Sequence, residues 1–469
     1  MNPYKKLAKN SIIFAIGNFG SKLISLILVP LYTFYLSTGQ YGTVDLVTTT
    51  VALIVPIITL SISDAVLRFV MDNNSDKNSV LSNGVCLIII GLLISLVFYP
   101  IFKTFFPFRE YINLFYLFLL TQSLNGLFLQ FTRAVGKVNL FAGVGIISSI
   151  VVLGGNIIFL VILKMGITGY LLSLISADVA SLIIIMTVGS AIRYVDFQKI
   201  NISLLRKMII YSLPLMPTTL MWWVLNLSGR FIISFFVGVA ANGLFAVATK
   251  IPNVLNVLSN VFFQAWQMSA IEEINSKNKS LFFSNVYMML SSIMFIAMSF
   301  ILIVLKWIMG LIVSAEFYDA WNLVPFLLMG VVFSSFASFF GQIYVANKNT
   351  VGVFKTSFLS ALINVIINFI LVPFIGTIGA SVSMMVSFAA MWLMRVIDTN
   401  HFVTIDIKVH RTVTNLLILF LQIFLLYIPI PLQVVFQSML FCIILLLNKD
   451  SIKICYKKVA ATLEKRYSK

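Results

Sequence analysis

The sequence predicts an all-α polytopic membrane protein of about 14 transmembrane helices, two six-helix lobes followed by two further helices. Three observations lead there. Of the 469 residues, 60% are hydrophobic and only 10% charged, where soluble globular domains carry roughly a quarter of charged residues. Apolar runs of the roughly 20 residues needed to cross about 30 Å of hydrocarbon as a helix recur from one end of the chain to the other. The lysines and arginines, finally, gather in alternate connections. The alternating pattern and turn spacing of an outer-membrane barrel are absent. No cleavable signal peptide is expected, because the first apolar run is too long for one and lacks a small-residue cleavage site behind it.

Polar punctuation divides the chain into 14 spans starting near residues 11, 43, 80, 112, 139, 167, 208, 241, 283, 322, 350, 376, 412 and 431. The last two are separated by "IPIP" at 428–431. The longest connections, around 191–207 and 395–411, follow spans six and twelve, and no connection is long enough for a soluble domain. The domains expected are an N-terminal six-helix lobe at 1–192, a cytoplasmic linker at 193–207 and a C-terminal six-helix lobe at 208–400. Two additional helices at 401–449 and a basic cytoplasmic tail at 450–469 complete the chain.

With the N-terminus inside, the cytoplasmic segments hold 25 of the 32 Lys and Arg and the external loops 4 (Lys103, Arg109, Lys164, Lys306), with Lys22, Arg230 and Lys250 inside spans. That bias is the positive-inside signature and puts both termini in the cytoplasm. It also accounts for the net charge of +17 as orientation and attraction to anionic lipid, rather than a nucleic-acid arm. Cys86, Cys442 and Cys455 form no motif, so no disulfide framework is expected. His401 and His410 share one loop without a second ligand pair, so no metal site is expected.

The two halves show signs of duplication. A shift of 201 positions pairs Lys6 with Lys207, Ser11 with Ser212, Leu26 with Leu227, Phe34 with Phe235, Gly42 with Gly243 and Thr48 with Thr249. "NIIFLVILKMGITGY" (156–170) and "NFILVPFIGTIGA" (368–380) each carry an Asn within the helix and then a short G-x-x-G turn, Gly166/Gly169 and Gly376/Gly379. Glycines there let antiparallel helices turn within a few residues. Repeats of this kind imply two similar bundles around a central cleft.

Polar residues inside the spans mark what such a cleft would meet. In span one, Ser11, Asn18, Ser21, Lys22, Ser25 and Tyr32 share one helical face. Lys22 lies roughly 16 Å from the start of the span, too deep to snorkel easily. Gly17, Ser21 and Ser25 also form a small-residue ladder suited to close packing, which explains the small residues but not the charge. "GNFGSK" (17–22) lacks the spacing and setting of a phosphate loop, and no other nucleotide motif appears; no cofactor is expected. In span eight, Lys250, Asn253, Asn256, Asn260 and Gln264 follow steps of three and four along one face, with Pro252 expected to bend the helix. A water-lined face and a packed polar seam are the two readings. Span eleven carries a shorter stripe of Ser357, Ser360, Asn364 and Asn368.

Arg230 stands about 10 Å from the outer end of span seven, close enough either to snorkel to the surface or to face the cleft. Asp178, near the middle of span six, is open to three roles: cation partner, ion-coupling carboxylate or salt-bridge mate. Arg68, Arg133 and Arg395 lie at cytoplasmic ends, where anchoring is the default and Arg68 and Arg133 could also guard the mouth. Asp64 and Arg68 are spaced to pair. Tyr41, Trp307 and Trp321 fit an interfacial belt. Three deep cations against one deep acid make a cleft that attracts anions and repels organic cations.

At this point the chain resembles a known family. The 14 spans and two similar halves, with "STGQYGTVDL" (37–46), "AEFYDAWNLVPFLLMG" (315–330) and "LINVIINFILVPFIGTIGASVSMM" (362–385), look like the Wzx-type flippases. These belong to the multidrug/oligosaccharidyl-lipid/polysaccharide (MOP) superfamily, and the resemblance covers nearly the whole chain. It implies a V-shaped pair of six-helix bundles around a cationic central cavity working by alternating access. It implies as substrate an undecaprenyl-diphosphate-linked oligosaccharide repeat unit, moved outward across a bacterial cytoplasmic membrane for surface polysaccharide. Lys22 matches a position where relatives place basic cavity residues, and Asp45 one where some have a functional acid, unless it caps the helix. On this reading Lys22, Lys250 and Arg230 hold the diphosphate, and Asn18, Asn253, Asn256, Asn260 and Asn364 meet sugar hydroxyls. Asp45, Arg68 and Asp178 are the candidates for gating or coupling. Membrane lipids and other polysaccharide-assembly proteins are the expected partners, with no nucleic acid. A multidrug or small-molecule antiporter is the alternative. A membrane-embedded polymerase or glycosyltransferase would want long catalytic loops or clustered carboxylates, which the sequence lacks.

Topology is directly testable. Single cysteines placed at Ser203 and Ser314 should label oppositely with an impermeant thiol reagent in intact cells, Ser314→Cys from outside and Ser203→Cys only after lysis. Equal labelling would undo the charge-based orientation.

Overall fold

A computed structural model describes residues 24, 27–72, 75–274, 276–347, 349–429 and 431–449. Lys22, Asn18, the rest of span one before residue 27, the side chain of Gln264, Cys455 and the basic tail lie outside the described residues. Among the described residues the secondary structure is helical throughout, without strands, as hydrocarbon demands of a chain whose backbone must satisfy itself. Eleven helices are long and apolar enough to cross a membrane. Residues 27–35 of span one, the amide-rich span eight and the short Gln433–Leu447 helix complete the expected 14.

The chain divides into two compact units, Met1–Val247 and Ala248–Lys469. Helices Ile202–Ser212 and Met216–Phe236, and Val239–Ala248 up to Val247, belong to the first. In that unit span two is broken. Thr38–Ile58 starts from a capping box, in which Ser37 Oγ accepts from Gln40 N and the Gln40 side chain accepts from Ser37 N. Ile62–Val70 continues it after two left-handed residues, Leu60 and Ser61. The core beneath is Ile62, Val66, Val85, Ile88, Phe128, Phe131 and Ile185. Asp64 and Arg68 are both exposed on the second segment and form no ion pair among the described residues, so the spacing for one is not used.

Span eight breaks at Thr249, between Val239–Ala248 and Lys250–Glu273. Pro252 has no N–H to donate to the carbonyl of Ala248, and the interruption of the helix lies there, one turn before the proline at which a bend is expected. In the second unit this helix packs Trp266 face to face on Phe339 of span ten, ring centroids 4.5 Å apart. Span ten, Val324–Ala346, is the most enclosed helix of that unit. The last two spans, Val409–Tyr427 and Gln433–Leu447, dock on span nine through polar stitches. Ser299 Oγ donates to Gln422 Oε1 at 2.8 Å, and Gln422 and Gln437 each donate to the other's backbone carbonyl. Arg411 donates to Ser292 Oγ and Asn448 Oδ1 at 2.8 and 2.7 Å. At the other end Lys306 donates to the carbonyl of Leu426 at 2.7 Å and lies 4.3 Å above the Trp321 ring.

The duplication read from sequence recurs as matching local geometry. Gly166 and Gly376 both have positive φ, +56° and +60°, at the tight turn between spans. A Cβ on Gly169 would lie 2.8 Å from the Phe159 carbonyl oxygen, and one on Gly379 2.7 Å from the Leu371 carbonyl carbon, so each second glycine lets two helices touch through backbone. Asn156 and Asn368 are both buried, both donate to the carbonyl four residues back, and both leave Oδ1 without a hydrogen-bond partner among the described residues. The segments after spans six and twelve also dock alike. Asp196 N donates to Ser82 Oγ of span three at 2.8 Å, and Asp406 N donates to Ser284 Oγ of span nine at 2.9 Å. Asp406 keeps its carboxyl below the usual carboxylate range by accepting from the side chain and backbone of Lys408.

The glycine contacts set a stability prediction. Gly379→Val forces its side chain into the Leu371–Val372 backbone and should cost about 1–3 kcal/mol, the range for overpacked interiors. Gly143→Ala, where nothing lies within 4 Å, should leave the midpoint unchanged. Thermal unfolding of detergent-solubilised protein reads both, and equal midpoints for the two would refute the close packing.

Candidate functional site

The first cluster of charged and polar side chains forms where the N-terminal end of span two meets spans seven and eight, all in the first unit. Gly42 and Gly243 bring the helices together: a Cβ on Gly42 would overlap the carbonyl oxygen of Val239, and one on Gly243 that of Thr38. At this contact Asp45 Oδ2 lies 2.7 Å from Arg230 Nε, an ion pair with both side chains largely buried. The distance is that of a strong pair, yet the N–H does not point along a hydrogen bond to the carboxylate. Asn242 Nδ2 adds donations to Asp45 Oδ2 and to the Gly42 carbonyl, both at 3.2 Å. Arg230 Nη1 donates to the Asn226 carbonyl at 3.2 Å, and the guanidinium sits 5.9 Å from the Phe245 ring centroid. Trp223 Nε1 closes the side by donating to the Thr49 carbonyl at 3.0 Å.

Around the same end, Tyr32, Tyr41 and Tyr170 pack ring against ring, with Tyr32 and Tyr170 centroids 4.6 Å apart. Tyr41 is therefore buried rather than an interfacial belt residue. Trp307, exposed on span nine, keeps a position suited to a belt. The structure thus brings together two residues that the sequence alone does not connect: Arg230, a candidate for holding a diphosphate or for snorkelling, and Asp45, a candidate gate or cap. Asn242, which joins them, went unnoticed because a single amide in an apolar helix carries no pattern.

The second feature is the polar face of span eight in the second unit. Asn253 and Asn260 are exposed and Asn256 and Lys250 half-buried, whereas Ile251, Leu255 and Ser259 on the opposite side are packed. Ser259 shares a 2.6 Å hydrogen bond with Ser335 of span ten. Asn256 donates to Asn253 Oδ1 at 3.4 Å along the open face. Amides left open on a membrane helix belong beside water rather than lipid, where they would go unsatisfied.

Span eleven behaves differently. Ser357, Ser360, Asn364 and Asn368 are all buried, Asn364 at 2% exposure, and Asn368 donates to Asn364 Oδ1 at 3.0 Å. That stripe is a packed seam. Part of it serves Arg395, which sequence reading took for an anchor at the membrane surface but which is 2% exposed. Its guanidinium donates to Thr356 Oγ1, Ser357 Oγ and the Ala337 carbonyl at 3.0, 3.0 and 2.8 Å, tying spans ten, eleven and twelve. Asp178, 8% exposed, has no cation within ion-pair distance among the described residues. Its carboxylate accepts from Asn125 Nδ2 at 2.7 Å and Thr121 Oγ1 at 3.4 Å, while Ser181 donates to Asn125 Oδ1 at 2.6 Å. The partners Asn125 and Thr121 on span four lie more than 50 residues away in sequence, beyond any local pattern.

The span-eight face predicts a periodic thiol pattern. Cysteines replacing Asn253 and Asn260 should react readily with small hydrophilic thiol reagents, and those replacing Leu255 and Val257 at least tenfold more slowly. Uniform reactivity along the helix would mean the face is not water-lined.

The chain is similar in structure to the lipid II flippase MurJ in an inward closed conformation, at 16% identity and a TM-score of 0.69, covering 96% of this chain and 100% of that one. An inward-facing MATE family multidrug resistance transporter of the MOP superfamily matches at 14% identity and TM-score 0.68, covering 81% of this chain and 95% of that one. A MOP superfamily transporter from Pyrococcus furiosus matches at 15% identity and TM-score 0.61, over 86% of this chain and 97% of that one. No curated protein sequence matches. The fold is that of the MOP transporters. The model of the family described as "Polysaccharide biosynthesis protein" matches residues 7–267, more than half the chain, and the chain belongs to that family.

Proposed function

We propose that the protein is a Wzx-type flippase. It moves undecaprenyl-diphosphate-linked oligosaccharide repeat units from the inner to the outer leaflet of a bacterial cytoplasmic membrane by alternating access. The observation that carries this reading is the open polar face of span eight, headed by Lys250, on a chain of a polysaccharide-biosynthesis family. Such a face offers a cation for phosphate and a ladder of amides for sugar hydroxyls, without the embedded carboxylate cluster an organic cation would want. Likeness of fold to a lipid II flippase supports a lipid-linked substrate.

In this reading Lys22 and Lys250 meet the diphosphate, with Arg230 a third cation once released from Asp45. Asn18, Asn253, Asn256 and Asn260 meet the sugars, and the lipid tail stays in hydrocarbon. Asn364, expected to meet sugar hydroxyls, is buried in the span-eleven seam and is left out of that contact. The two lobes divided at 193–207 are the moving parts, both termini are cytoplasmic, and other polysaccharide-assembly proteins are partners. An inside-negative potential assists export, by about 2.3 kcal/mol per negative charge per 100 mV.

Charge substitutions test the reading in reconstituted vesicles supplied with a lipid-linked oligosaccharide. Lys250→Arg and Lys22→Arg should retain partial flipping, because a guanidinium also pairs with phosphate. The Gln variants should lose more, roughly tenfold, and the Glu variants most. Wild-type flipping by well-expressed Lys22→Glu and Lys250→Glu proteins would defeat the cationic-cavity mechanism. Saturable export of an organic cation without lipid movement would replace the flippase with an antiporter.

A further inference from the structure

The ion pair at the Gly42–Gly243 contact is built to be exchanged. A guanidinium and a carboxylate bind best through two parallel N–H···O bonds. Here a single carboxylate oxygen, Asp45 Oδ2, approaches a single nitrogen, Arg230 Nε, off the hydrogen-bond axis. Arg230 Nη2 has no hydrogen bond among the described residues, and neither has Asp45 Oδ1. The pair cancels charge, as two largely buried ionic groups must. It leaves the bonding capacity of both partners half used. Asn242 holds the carboxylate from the other side and links it to the Gly42 carbonyl, so the same few atoms also join span two to span eight.

We propose that Asp45 is a resident stand-in for the substrate's phosphate. It neutralises Arg230 while spans two, seven and eight are closed together, and a diphosphate displaces it by engaging the guanidinium fork in full. This inference rests on the flippase reading and adds a load sensor to it. A headgroup that takes Arg230 leaves Asp45 uncompensated, which destabilises the closed contact at Gly42–Gly243 and favours parting of the helices. Without a headgroup the carboxylate returns to Arg230, and the empty protein stays shut at that end. The ligand chemistry is a diphosphate ester on an apolar tail, read by a charge and fork geometry that any diphosphate shares.

The test is a double-mutant cycle on purified full-length protein in detergent, titrated with a short-chain isoprenyl diphosphate and, separately, with inorganic pyrophosphate. Asp45→Asn, nearly isosteric, should bind the isoprenyl diphosphate roughly tenfold more tightly than wild type, because the competing carboxylate is gone. Arg230→Gln should weaken binding by a similar factor, and Asp45→Asn should then bring no gain in the double variant. A gain shared by pyrophosphate assigns the exchange to the diphosphate alone, and a gain confined to the ester adds the tail; either supports the stand-in. A second readout keeps the native pair: a cysteine at the buried Val44 should become several-fold more thiol-reactive when the isoprenyl diphosphate is added. Unchanged or weaker binding by Asp45→Asn, with Arg230→Gln still impaired, would overturn the stand-in and leave the flippase standing. Failure of every form to bind either diphosphate would remove both.

Discussion

Hydrocarbon supplies no hydrogen bonds, and every polar group this chain carries into it must find a partner within the protein or a path of water. Most of the architecture follows from that single constraint. Spans that carry polar side chains pack them inward as stitched seams: Ser299 with Gln422 and Gln437, Arg411 with Ser292 and Asn448, Arg395 with two hydroxyls and a carbonyl. The seams are directional, so they fix helix register where apolar ridges alone would slide. The exposed amides of span eight stand out because they break the pattern: among the described residues Asn256 donates to Asn253, along the open face itself.

The same constraint gives the buried charges their different characters. Arg395 is held by three neutral acceptors from spans ten and eleven and rivets its own span twelve to both. Asp178 accepts from one amide and one hydroxyl, a thinner shell for a full negative charge. Arg230 and Asp45 are intermediate, neutral as a pair and under-bonded as individuals. A count of charges by depth treats these residues as equivalent, whereas their partners separate them into well-bonded, sparsely bonded and ion-paired groups.

Much of the fold could be read from sequence because its signals are local. Twenty apolar residues, a proline, a G-x-x-G turn or a run of lysines each speaks for itself, and most described span starts fall close to the expected places, with span seven beginning earlier, at Ile202. Pro252 shows the limit, since the break sits at the carbonyl it fails to bond rather than at the proline. The candidate site was legible in part. The step of three and four from Lys250 to Asn260 identified an open face, and the same rule applied to Ser357–Asn368 identified a stripe that proved buried. Periodicity says which residues share a face but not what that face meets. The Asp45–Arg230 pair joins residues far apart in the chain, and nothing local to either one announces the other.

The Gly42–Gly243 contact has a consequence for how such a chain diverges after duplication. Most positions of two fused copies drift separately, which is why so few identities survive along the 201-residue shift. A position that touches its own duplicate is different. Thr38 and Gly42 correspond by that shift to Val239 and Gly243, and each glycine's missing side chain is the space occupied by the backbone that meets the other. Neither copy can acquire a methyl group without the loss being felt by both. The two glycines are therefore constrained as one site written twice, the space at each being filled by the backbone that carries the other.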